Sequence, residues 1–167
     1  MRIDELNVLA PTAARETLAP AAAVSWWVDA LVAGRPYDDV GGLLTFAEAE
    51  AALWTPEDLD AALSRHPRIG ERPAGDGTEA TLSRREQRAI VDDRPADAGL
   101  EEAIAAGNAA YEDRFGHVFL IRAAGRTRRE ILDELVRRLD NDPDAERVEV
   151  HEQLTQIALL RLEGMFA

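Results

Sequence analysis

At 167 residues, 46% of them hydrophobic, the chain is long enough to bury a core as a single domain, and its lack of cysteine excludes disulfide staples and thiolate catalysis. A formal net charge of -13 argues against a nucleic-acid partner, because phosphate binding draws its affinity from clustered Lys and Arg. Aromatic residues make up only 5%, while alanine and leucine abound, so an all-α fold is predicted.

In chain order, the patterns predict helices near 3–8, 20–33, 46–52, 56–65, 84–92, 97–114, 128–140 and 144–164. Four starts share one grammar, a hydroxyl three residues before a carboxylate: Thr45 with Glu48, Thr55 with Asp58, Ser83 with Glu86, and Thr127 with Glu130. In such a box the hydroxyl accepts from the third amide of the helix, and the acid reaches back to the cap. Pro56 suits a first helical position, where its missing N–H costs nothing. Ile131, Leu132, Leu135, Val136 and Leu139 form one apolar face, and Val148, Leu154, Ile157, Leu160 and Leu162 another. Gly70, Pro73, Gly75 and Gly77 predict a loop from Arg68 to Thr81. After a helix stop at Gly116, the apolar run Val118-Phe119-Leu120-Ile121 has no strong strand to pair with. It therefore predicts a buried extended segment near 117–122, with backbone amides partly free to meet a ligand. The expectation is a single-domain helical bundle of about eight helices. No run of about 18 apolar residues occurs and the first residues lack a signal peptide's apolar core, so a soluble cytoplasmic protein without a membrane partner is expected.

Three side chains attract chemical readings. His66 precedes Pro67 at a predicted helix exit; its imidazole either moves a proton in a cleft or complements the helix dipole. Glu86 either caps its helix or, held ionised at a helix N-terminus, orients an imidazole or takes a substrate proton. Arg161, among apolar neighbours, either snorkels to water or meets an anion, whether an internal carboxylate or a bound acid. The histidines at 66, 117 and 151 show no clustered ligand spacing, so no metal site is expected. No Gly-rich loop follows a strand, and no nucleophile elbow is visible.

With these residues in place, the chain resembles the 2-oxo-4-hydroxy-4-carboxy-5-ureidoimidazoline (OHCU) decarboxylases of urate breakdown, from about Trp26 to Leu162. The likeness runs through Arg35-Pro36-Tyr37, His66-Pro67-Arg68-Ile69-Gly70-Glu71, Ser83-x-x-Glu86-Gln87, and Tyr111 to Gly116. It continues through Phe119-Leu120-Ile121 with Ala123, Gly125-Arg126, Arg138-Leu139 with Asn141, Glu146, Glu152, Ile157 and Arg161-Leu162. Two positions depart: His117 stands where the family usually has an aromatic after Phe-Gly, and Arg122 where a small residue is usual.

The resemblance implies an all-helical, cofactor-free, usually homodimeric enzyme that removes CO2 from OHCU and protonates one face to give (S)-allantoin. It implies His66 as the acid, with Glu86 and Arg161 as catalytic partners. Pro67, Ser83, Arg84, Arg85, Glu86, Gln87, Phe119, Leu120, Ile121, Arg122 and Ala123 are the implied substrate-binding positions. The competing readings are a helical interaction module of the same fold and a decarboxylase for a related ureido or imidazolone acid.

Overall fold

The computed structural model describes residues 1–64, 66–70, 81–82, 90 and 98–167. Eight α-helices stand among them: α1 (Ile3–Val8), α2 (Pro11–Leu18), α3 (Ser25–Ala33), α4 (Val40–Ala51), α5 (Pro56–Leu63), α6 (Ala98–Phe115), α7 (Arg128–Leu139) and α8 (Pro143–Met165). A 3-10 turn, Ala19–Ala21, follows α2, and the described residues contain no strand. The fold is all-α, as composition predicts. The helix expected over 84–92 and the Ser83 box lie outside the described residues, as does most of the loop after Gly70.

Local chemistry explains most starts. At α5 the Asp58 amide donates to Thr55 Oγ1 at 3.3 Å, and Asp58 Oδ2 accepts from the Thr55 amide at 2.9 Å. At α7 the Glu130 amide donates to Thr127 Oγ1 at 3.2 Å, and the Thr127 amide to Glu130 Oε2 at 2.7 Å. Thr45 is a correction: it lies inside α4, which begins five residues earlier behind Asp39, whose Oδ1 accepts from the Gly42 amide at 2.7 Å. An aspartate cap thus overrides the low helix propensity of Gly41 and Gly42. The helix expected over 20–33 is also corrected, since α3 begins only at Ser25. The sequence before it forms α2, whose first residue, Pro11, is the overlooked start signal.

The chain divides into two compact units, residues 1–62 with 155–167, and residues 63–154. In the first, Trp27 is fully buried, packs edge-on against Trp54 at 5.5 Å, and donates through Nε1 to the Ala47 carbonyl at 2.9 Å. Arg35 ties the chain before α2 to α3's exit, donating through Nη1 to the carbonyls of Leu6 (2.7 Å) and Leu9 (2.8 Å). Burial pushes the Tyr37 hydroxyl up to about 12, so it stays protonated and donates to the Leu31 carbonyl at 2.7 Å.

In the second unit α6 packs along α7. A Cβ on Gly107 would stand 2.5 Å from Leu135 Cδ2, so glycine is what lets the two helices approach this closely. The core joins Tyr111, Phe119, Ile121, Ala123, Ile131 and Leu135, with Ile69 packed against it. Two apolar positions depart from expectation: Val136 and Val148 are exposed, at 55% and 59%. The buried stripe of α7 instead runs Ile131, Leu135, Arg138, and a guanidinium takes the slot assigned to valine.

Candidate functional site

Two elements of the second unit carry positions that the resemblance implies. The first is the loop leaving α5. The His66 amide donates to the Leu63 carbonyl at 3.0 Å, closing the helix as the following proline requires. The His66 ring is half-buried, with Nε2 shielded from solvent. Beyond Pro67, Arg68 forks onto Glu112 of α6, donating through Nε at 2.5 Å and Nη2 at 2.7 Å. That pairing holds the Glu112 carboxyl below the usual carboxylate range. Ile69 enters the core and its carbonyl accepts from Asn108 Nδ2 at 3.0 Å; Gly70 then turns with φ +89°, a conformation glycine alone adopts cheaply.

The second element is the extended segment 118–123, irregular as predicted, with Phe119, Leu120, Ile121 and Ala123 almost fully buried. Its shape is set by a charge inside the protein. Arg138, 1% exposed, donates through Nη1 to the Leu120 carbonyl at 2.7 Å and through Nε to Glu146 Oε1 at 2.9 Å, and its guanidinium lies 4.8 Å over the Phe119 ring. Glu146 also accepts from the Tyr111 hydroxyl and, at 2.8 Å, from Asn141 Nδ2. Burial first, and then the Glu146 contact, push the Tyr111 hydroxyl well above its ordinary value, so it remains a donor. The paired charges satisfy each other's desolvation, which is the condition for keeping either in a core.

The segment's amides are only partly available. The Arg122 amide donates to Gln153 Oε1 at 2.9 Å. Among the described residues no acceptor meets the amides of Leu120, Ile121 and Ala123. His117 behaves as an aromatic: its ring lies edge-on to Tyr111 at 5.5 Å and stacks along Phe115 at 6.3 Å.

Residues 7–163 match the OHCU decarboxylase family. The chain belongs to that family. It is 31% identical over 107 residues to the uric acid degradation bifunctional protein TTL of Arabidopsis thaliana, covering 64% of this chain and 33% of that protein. It is 41% identical over 58 residues to the 2-oxo-4-hydroxy-4-carboxy-5-ureidoimidazoline decarboxylase of Amia calva, covering 35% of this chain and 33% of the relative. Each match therefore spans about a third of the curated relative's length. A crystal structure of OHCU decarboxylase in the presence of (S)-allantoin shares the fold, at TM-score 0.73 and 24% identity, over 89% of this chain and 95% of that one. So does a crystal structure of (S)-allantoin synthase, at TM-score 0.73 and 17% identity, over 99% of this chain and 54% of that one.

Of the positions the family resemblance implies, His66, Pro67 and the backbone from Phe119 to Ala123 lie in one compact unit, and Phe119, Ile121 and Ala123 belong to its core. Arg161 belongs to the other unit; it is 3% exposed beside the buried Ile157, Ala158 and Leu162, so it does not snorkel to water. Ser83, Arg84, Arg85, Glu86 and Gln87 lie outside the described residues. Sequence reasoning missed the roles of Asn108, Tyr111, Arg138 and Glu146. The signal was present: Arg138 follows Ile131 and Leu135 at helical spacing, where an arginine in the core demands a carboxylate. A groove of about 550 Å³ beside Arg68 and Gly70 is lined by Glu101, Glu112 and Asp113. Among the described lining residues the one cation, Arg68, is paired with Glu112.

Proposed function

We propose that this chain is a cofactor-independent carboxy-lyase converting OHCU to (S)-allantoin. The observation that carries the reading is the family match over residues 7–163, which runs through both units. The reading is supported by Ile69, three residues after His66, which packs against the core that holds Phe119, Ile121 and Ala123.

Loss of CO2 from the substrate leaves an electron pair on the former carboxyl-bearing carbon. That pair forms a double bond to the ureido-bearing carbon, and the ring C=N nitrogen takes up the displaced electrons and a proton. The hydroxyl-bearing carbon then becomes the ring carbonyl as its hydroxyl proton leaves, and a proton must arrive on one face of the ureido-bearing carbon. In this reading His66, as imidazolium, delivers it and thereby sets the stereochemistry. Glu86 orients the imidazole or takes the substrate's hydroxyl proton, and the Arg161 fork binds an anionic oxygen. The Ile121 and Ala123 amides hold ureido and imidazolone oxygens, and Pro67 and residues 83–87 are the further substrate-binding positions that the resemblance implies. Acid–base assistance supplies about 10²–10⁴-fold, and positioning and electrostatics the remainder. A homodimer, which the family resemblance implies, and a cytoplasmic location, expected from the lack of a run of about 18 apolar residues, belong to the same proposal, and light scattering and cell fractionation test them.

The decisive experiment follows circular dichroism while urate is consumed by urate oxidase and hydroxyisourate hydrolase. The chain should accelerate the appearance of dextrorotatory allantoin, and His66→Ala should remove that gain while keeping its helical signal. A variant as fast as its parent would remove His66 from the acid's role. A parent without effect would remove the decarboxylase reading itself.

A further inference from the structure

The loop that carries His66 is gripped by helix α6 at two successive residues. Asn108 Nδ2 donates to the Ile69 carbonyl at 3.0 Å, and one turn later Glu112 accepts the fork of Arg68 at 2.5 and 2.7 Å. Between them on the same helix stands Tyr111, whose hydroxyl joins the Arg138–Glu146 pair that holds the Leu120 carbonyl. Asn108 and Tyr111 are three residues apart, a rise of about 4.5 Å along the axis. One helical turn thus fixes both the loop of the proton donor and the backbone frame.

Little slack separates the grip from His66. Pro67 has a locked φ, and the His66 amide is tied to the Leu63 carbonyl at 3.0 Å. Displacing Ile69 therefore displaces the imidazole. Asn108 is also an uneconomical residue if stability were its whole role. It is 5% exposed and its Oδ1 is buried without a hydrogen-bond partner among the described residues, so among them its amide is desolvated but only half satisfied. What the structure gains is a donor aimed at one carbonyl.

We infer that Asn108 is a positioning residue for His66, and that α6 gauges the separation between the proton donor and the 119–123 backbone. The inference rests on the decarboxylase reading for its effect on rate, not for its effect on the imidazole. Asn108 touches no reacting atom; it acts through the Ile69 backbone.

Asn108→Asp keeps the shape but replaces the donor with an acceptor that repels the Ile69 carbonyl, and Asn108→Ala removes the side chain. Both should lower kcat by about tenfold to a hundredfold, the scale of a misplacement near 1 Å, with KM changed by less than about twofold. Ala106→Gly, at an exposed position of α6, supplies the control: it lowers the melting temperature without changing kcat. Nuclear magnetic resonance supplies a readout that needs no turnover. The chain has three histidines, and the His66 ring signals should move in both Asn108 variants while those of His151 stay in place. Unchanged kcat and unmoved His66 signals, in variants no more stable than Ala106→Gly, would reduce Asn108 to a structural residue. Should the parent show no turnover, the decarboxylase reading falls alone, and the His66 signals still decide the positioning claim.

Discussion

Glu112 shows how a partly exposed pair can hold a loop without contributing much to global stability. Its carboxyl is depressed chiefly by hydrogen bonding from Arg68. A depressed carboxyl contributes stability above its unfolded value, here 4.5, and loses it as pH falls through the lower folded value. Glu112→Gln should therefore be less stable than the parent by about 0.5–1 kcal/mol near neutral pH, the scale of a partly exposed ion pair. The gap should shrink progressively as pH drops below 4.5, as urea midpoints measured across that range will show. A gap that stays constant down to about pH 3 would mean that the pair contributes no linked stability. Of the residues in this loop, the sequence singled out His66 and Pro67. It could not single out Arg68 as an anchor, because the chain has 32 acidic residues and their spatial pairing follows from packing.

Among the secondary elements, α7, α8 and the extended segment meet at Arg138 and Glu146, both 1% exposed. Removing one member leaves the other buried and uncompensated. Glu146→Gln should cost about 3–5 kcal/mol, whereas Arg138→Met with Glu146→Leu should cost less, because it leaves no lone buried charge although it unpairs the Leu120 carbonyl and the Tyr111 hydroxyl. Thermal unfolding of the two variants checks the ordering, and equal losses would show that the pair's charges are not what the core depends on. On the proposed reading the double variant should also raise KM, because the Leu120 carbonyl loses its anchor and the amides beside it drift. Element starts were legible where a box stood alone, as at Thr55 and Thr127. At Thr45 the same letters failed, because Asp39 had already started the helix and Thr45 falls inside it. Local grammar specifies a possible cap; which of two nearby caps is used depends on the helix's packing against its neighbours.

At the scale of the whole molecule the dominant fact is a formal net charge of -13. Like charges repel most in the compact state, and salt screens exposed charges far more than buried ones. The melting temperature should therefore rise by about 2–4 °C, equivalent to about 1 kcal/mol, as salt goes from about 20 to about 300 mM. Calorimetry measures this, and a fall instead would mean that exposed pairs such as Arg137–Glu149, at 2.5 Å, outweigh the general repulsion. The described residues hold no helix long and apolar enough to cross a membrane. Among them, too, no group of three or more acidic or histidine side chains is placed to hold a metal ion.

The sequence by itself determined the helical class, most helix boundaries, the extended run after Gly116 and the family. These depend on short-range rules of propensity, capping and periodicity, or on the order of motifs along the chain. Only the tertiary structure decided that Arg138 occupies a core slot, that Gln153 takes the Arg122 amide, and that Asn108 grips the loop behind His66. Those contacts join residues 18, 31 and 39 positions apart. Burial sets their energy by removing water from both partners, and no local pattern records which distant groups will lose their water together.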